Sequence, residues 1–153
     1  MIIRLLIISF AYLLADPTPP AIVTVNVTES IVYVGIGTMI PIWVEVKQGY
    51  HIQANTVNDE SLIPTTLEVN DDKNIAIIKQ EFPPDKKFQL EGTDTFLNVY
   101  DGKFLIKLFL NPVAKTQIGK YVLNAKLRYQ ACDSISCLFP RVIEFSIPVE
   151  VKL

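Results

Sequence analysis

Apolar and polar positions alternate with period two along most of this chain. Ile40, Ile42, Val44 and Val46 alternate with Met39, Pro41, Trp43 and Glu45, and Phe104, Ile106, Leu108 and Leu110 with Lys103, Leu105, Lys107 and Phe109. Tyr121, Leu123, Ala125, Leu127 and Tyr129 form a third such set, and Ile143, Phe145, Ile147, Val149 and Val151 a fourth. That period describes strands with one face in a core and the other face wetter. Shorter strands are predicted over residues 22–27, 31–34, 65–69 and 74–80. No segment repeats apolar residues at helical spacing over two turns, so no helix is predicted.

Asn70-Asp71-Asp72, Pro83-Pro84-Asp85 and Asp101-Gly102 break the pattern into separate strands. Seven to nine antiparallel strands in one domain of this length predict an all-β, two-sheet sandwich of immunoglobulin-like type. Pro41 and Pro148 fall inside strand patterns, which marks those positions as edges or bulges. Trp43, flanked by Ile42 and Val44, is expected as a core or inter-sheet residue rather than a ligand platform.

The start of the chain departs from this pattern. Met1 to Arg4 is short and basic, the apolar run Leu5 to Leu14 follows, and then Ala15-Asp16-Pro17. This reads as a secretory signal peptide over residues 1–15, leaving one domain over residues 16–153. The apolar run is too short to span a bilayer, so no stable membrane span is expected after cleavage. The expected location is periplasmic or secreted. Of the 14 basic side chains only Arg4 is lost with the signal, against 16 acidic ones. A mildly acidic chain without a basic cluster excludes a nucleic-acid partner.

Export bears on the two cysteines, because it places them where disulfides form and persist. Cys132 and Cys137 lie in Tyr129-Gln130-Ala131-Cys132-Asp133-Ser134-Ile135-Ser136-Cys137-Leu138-Phe139-Pro140, between the two longest alternating segments. A domain of 153 residues can build its core without disulfides. A bridge closing so short a loop gains only about 2 kcal/mol, where one closing about 50 residues gains about 4. The pair is a poor staple and well placed for thiol–disulfide exchange. The simplest geometry is a hairpin with the cysteines facing each other and residues 133–136 as the loop, with Cα atoms roughly 4.5 to 5.5 Å apart. On spacing alone a passive strap is the commoner outcome. Arg128 and Arg141 would favour a thiolate and Asp133 would oppose it.

Three blocks shift that balance. Gly49-Tyr50-His51-Ile52-Gln53-Ala54-Asn55, Pro64-Thr65-Thr66-Leu67-Glu68-Val69 and the Tyr-Gln-Ala-Cys…Cys-Leu-Phe-Pro block together resemble one family over nearly all of residues 16–153. It is the N-terminal periplasmic domain of the DsbD-type transmembrane thiol-disulfide reductases, the disulfide-bond corrector domains. The resemblance implies an immunoglobulin-like sandwich whose cysteine pair takes electrons from a thioredoxin-like domain and hands them to oxidised periplasmic proteins. It implies that Cys137 forms mixed disulfides with partners and that Cys132 resolves them. It also implies a cap loop, expected over residues 83–92 with Phe88 as the shielding aromatic. Apart from the resemblance, Tyr50 and Tyr129 are candidates to line the site, with packing the default for aromatics at strand ends. The best-known members have one more residue between the cysteines. No membrane or thioredoxin-like section accompanies the domain here, so a thioredoxin-like protein or membrane electron transporter is expected to act in trans.

No cofactor is expected. A metal reading would join His51, the only histidine, to Cys132 and Cys137. It lacks a fourth ligand, and a strand-end or pocket histidine is the simpler reading. The rival function is a non-catalytic immunoglobulin-like binding or assembly module in which the bridge only tightens a hairpin.

Overall fold

The computed structural model describes residues 21–70 and 72–153, and the expected signal peptide lies outside them. Twelve strands occur among the described residues, and no helix long and apolar enough to cross a membrane is found there. The four long alternating segments are β3 (Thr38–Val46), β9 (Lys103–Pro112), β10 (Gly119–Tyr129) and β12 (Arg141–Lys152). The four short predicted strands appear as β1 (Val23–Asn26), β2 (Ser30–Tyr33), β5 (Thr66–Val69) and β6 (Ile75–Glu81).

These eight make the two sheets of an antiparallel, immunoglobulin-like sandwich, ordered β1-β3-β9-β6 and β2-β12-β10-β5. The alternation sets the faces. Ile40, Ile42, Val44, Ile106, Leu108 and Leu110 from one sheet bury against Leu123, Leu127, Ile147, Val149 and Val151 from the other. One pairing departs from the expected antiparallel pattern: β2 runs parallel to β12, with Val149 opposite Ser30. The chain reaches β2 by crossing from the first sheet after β1, so no hairpin dictates its direction.

Both prolines occupy locally open flanks. Pro41 pairs with Lys107 on one side, whereas β1 pairs only with residues 43–46 on the other. Pro148 pairs with Val122, and β2 begins beside Val149. Neither ring has to supply a ladder N–H on its free side. Trp43 corrects the expectation of a core residue. It belongs to the outward set of β3 and is partly exposed, with the Lys103 ammonium 5.0 Å from its ring centroid.

A third sheet, ordered β11-β4-β8-β7, was not predicted. It contains β4 (His51–Gln53), β7 (Lys86–Gln89), β8 (Phe96–Tyr100) and β11 (Ala131–Cys132). The ladder between β3 and β9 turns a corner into it, where the Val46 N–H donates to the Gly102 carbonyl at 2.8 Å. Gly49 and Gly102 take positive φ values of 85° and 60° at this corner, conformations that favour glycine. The other sandwich sheet feeds the same end, because β10 runs through Gln130 into β11. Strands from both sandwich sheets therefore meet in the third, and the cysteines lie there.

Candidate functional site

Cys132 and Cys137 are joined by a disulfide with Cα atoms 3.9 Å apart. They face each other across a small hairpin. The Leu138 N–H donates to the Ala131 carbonyl at 2.7 Å, and the Asp133 N–H to the Ser136 carbonyl at 2.9 Å. The cysteines are thus the non-hydrogen-bonded pair between two bonded rungs, the narrower of the two antiparallel spacings. Asp133 shapes the loop: its Oδ1 accepts the Ile135 and Ser136 N–H groups at 2.8 Å each. These two bonds hold its carboxyl below the usual carboxylate range.

The expected hairpin is present, but it does not continue the β10–β12 ladder. That ladder ends with Tyr129 opposite Arg141. Beyond it the chain leaves the sheet, and Cys132 pairs with His51 of β4. Gln130 fastens the base of the ring, donating from Nε2 to the Leu138 carbonyl at 3.2 Å and accepting the Ile63 N–H at 2.9 Å.

Every residue of β4 is buried, and its two faces differ. Ile52 points into the main core. Gln53 turns the other way, onto the sulfurs: its Nε2 donates to Cys132 Sγ at 3.2 Å and to Cys137 Sγ at 3.8 Å. His51, two positions back on the same strand, packs against Phe88 with ring centroids 4.0 Å apart and the planes tilted by 35°. Burial lowers the imidazole pKa below its usual value, while Asp101 and Asp133 oppose that shift more weakly. The imidazole is therefore neutral at pH 7.

Leu97, Val99 and Cys132 form a small apolar cluster distinct from the main core, and Phe88, Leu90, Leu62 and Cys137 pack against it. Within residues 83–92, expected as a cap loop, Lys86–Gln89 form the edge strand β7, paired with β8 through Phe88 opposite Leu97. The chain then returns to the cysteine ring, where the Glu91 N–H donates to the Ser134 carbonyl at 3.0 Å. Tyr129 lies elsewhere, in the main core, where burial raises its pKa.

The two cysteines differ in exposure: Cys132 is fully buried, whereas Cys137 is only partly buried. Cys137 opens on a groove of about 360 Å³ lined by Gln130, Cys137, Leu138, Phe139, Pro140 and Arg141. Phe139 is 91% exposed and Ile135 73%, so apolar surface flanks the reachable sulfur on both sides. The fold brings His51 to Cys132 across about eighty residues of sequence. Among the described residues, however, no group of three or more His, Cys, Asp or Glu side chains could hold a metal ion.

Gln53 belongs to no chemical motif in the sequence; its one signal is its place two residues from His51, with Ile52 between them as the core residue.

No protein-family model matches the chain, and no curated protein matches its sequence. Solved structures resemble it in fold. The N-terminal periplasmic domain of ScsB from Proteus mirabilis superposes with a TM-score of 0.53 at 14% identity, over 82% of this chain and 43% of that one. The chain thus spans less than half of that structure's length. The reduced N-terminal domain of DsbD from Neisseria meningitidis gives a TM-score of 0.43 at 16% identity, over 71% of this chain and 74% of that one. A cohesin–dockerin complex from Clostridium thermocellum gives 0.47 at 16% identity, over 90% and 99%. At such identities the ScsB match establishes a shared fold.

Proposed function

We propose that this chain is a thiol–disulfide exchange protein, passing reducing equivalents between a thioredoxin-like or membrane donor and oxidised periplasmic proteins through Cys132 and Cys137. The observation that carries the reading is the unequal exposure of two cysteines in one small ring. Main-chain hydrogen bonds on both sides already hold the hairpin together, so the bridge adds little as a strap. A partner arriving from solvent meets Cys137 and not Cys132. The apolar side chains beside the groove give such a partner a surface to rest on. The fold shared with a periplasmic domain fits both this chemistry and export.

A partner thiolate attacks Cys137 Sγ, forming a partner–Cys137 disulfide while the Cys132–Cys137 bond breaks and its electron pair passes to Cys132 Sγ. The partner's second thiolate then attacks its own sulfur in the mixed disulfide and releases Cys137. The partner leaves oxidised, and the domain holds two electrons as a dithiol. In the reverse sense, Cys137 attacks an oxidised recipient and Cys132 resolves the product.

Trapping tests the roles. With a thioredoxin-like partner on a non-reducing gel, Cys132→Ser accumulates a mixed disulfide through Cys137, and Cys137→Ser accumulates little. Equal trapping by both variants rejects the asymmetry. Trapping by neither, with a wild-type bridge that resists mild reductant, favours a structural strap in a binding module.

A further inference from the structure

The side chain behind the ring is unusual in its hydrogen bonding. Gln53 is fully buried, yet its amide has only half its needs met. Nε2 reaches both sulfurs, at 3.2 and 3.8 Å, while Oε1 has no partner. Its main chain is fixed on both sides: the N–H donates to the Gln130 carbonyl at 3.0 Å, and the carbonyl accepts the Thr65 hydroxyl at 2.5 Å. A neutral disulfide sulfur is a weak acceptor. In the oxidised state, then, this amide gains little from the sulfurs and strands a buried acceptor, which is unfavourable. An apolar residue of the same shape would suit the fold better.

We infer that Gln53 is a catalytic residue of the exchange reaction, donating its amide N–H to the thiolate that forms on Cys132 when a partner attacks Cys137. The inference rests on the exchange reading above. When the Cys132–Cys137 bond breaks, its electron pair lands on a sulfur enclosed by Leu97 and Val99. Burial among apolar side chains disfavours that charge and makes Cys132 a poor leaving group. The two ionisable groups beside Cys132 supply no cation: His51, opposite it, is neutral, and the Asp133 carboxylate is occupied by loop amides; Arg141 lines the groove on the Cys137 side. Among the described residues, no other side chain donates a hydrogen bond to either sulfur. A hydrogen bond to an ionised acceptor is roughly twice as strong as one between neutral groups, so the amide favours the transition state over the resting disulfide.

The test uses the full chain with Gln53→Met, which keeps the length and removes the donor, and Gln53→Glu, which keeps the shape and adds negative charge. Reduction of the bridge by dithiothreitol is expected to slow about tenfold in Gln53→Met, and further in Gln53→Glu. The Cys132 thiol pKa, read from thiolate absorbance in a Cys137→Ser background, is expected to rise by about one unit with Gln53→Met. The melting temperature is expected to hold or rise, which separates this role from a structural one. Unchanged rate and pKa, with a wild-type bridge that exchanges readily, overturn the inference and leave the exchange reading standing. A wild-type bridge that resists dithiols altogether overturns both. Should neither variant fold, the Cys132 pKa in the otherwise wild-type Cys137→Ser protein decides. A value at or below the ordinary thiol pKa of about 8.5 supports the role in spite of full burial, and one well above it overturns the role.

Discussion

Replacing Phe88 by Ala tests whether β7 shields the buried cysteine. Phe88 is half-buried, in tilted ring contact with His51 and packed against the Cys132 cluster. Truncating a fully buried Phe costs about 3 to 5 kcal/mol. Half burial on an edge strand brings this to about 2 kcal/mol. β7 is bonded only to β8, so the loss falls first on the local opening of this strand rather than on the sandwich. A 2 kcal/mol loss confined there raises the open fraction about thirtyfold. Alkylation of Cys132 in the reduced protein, resolved from Cys137 by peptide mass, is therefore expected to speed up roughly tenfold to thirtyfold. The histidine supplies a second reading. Burial is the main cause of its lowered pKa, so uncovering the ring should move it back up toward about 6.5, observable by NMR. An unchanged alkylation rate with an unchanged His51 pKa would refute the shielding role of β7.

His51 also makes stability depend on pH. Its folded pKa lies below its unfolded one, so the unfolded chain binds more protons between the two values. That contribution is complete above about pH 6.5 and is lost as the pH falls toward the folded pKa. Urea midpoints should therefore drop between about pH 7 and about pH 5, above the range where carboxylates titrate, and His51→Leu should flatten the slope; parallel slopes would contradict the assignment. Asp133→Ala removes the acceptor for two loop N–H groups. Its bridge should be reduced several-fold more readily in redox buffers, with Asp133→Asn close to wild type, and an alanine variant indistinguishable from wild type would deny the loop any part in closing the ring.

The sandwich was legible because each of its long strands has one wet face. β3 and β9 bury every second residue, and that contrast is the signal that periodicity detects. The third sheet sends no such signal. All three residues of β4 are buried, β7 is largely exposed, and β11 is two residues long. The cysteine hairpin could be read because both halves are local. Its polar backing could not, since Gln53 and Cys132 are 79 residues apart and only the corner at Gly49 and Gly102 brings them together. Trp43 misled because aromatic residues are usually core residues, whereas here its strand parity placed it outside with Lys103 over the ring.

The same mixture of near and far contacts orders events as the chain folds. Closing the ring needs only five residues of separation, a search that a disordered chain completes on the submicrosecond scale. Assembling its surroundings requires β4, β8 and β11, from three distant parts of the sequence, to pair after the sandwich has supplied their corners. The bridge can therefore be oxidised on a chain that has not yet folded, by any available oxidant, and with no other cysteine to mispair. The bond can thus form early, whereas the enclosure of Cys132 comes late.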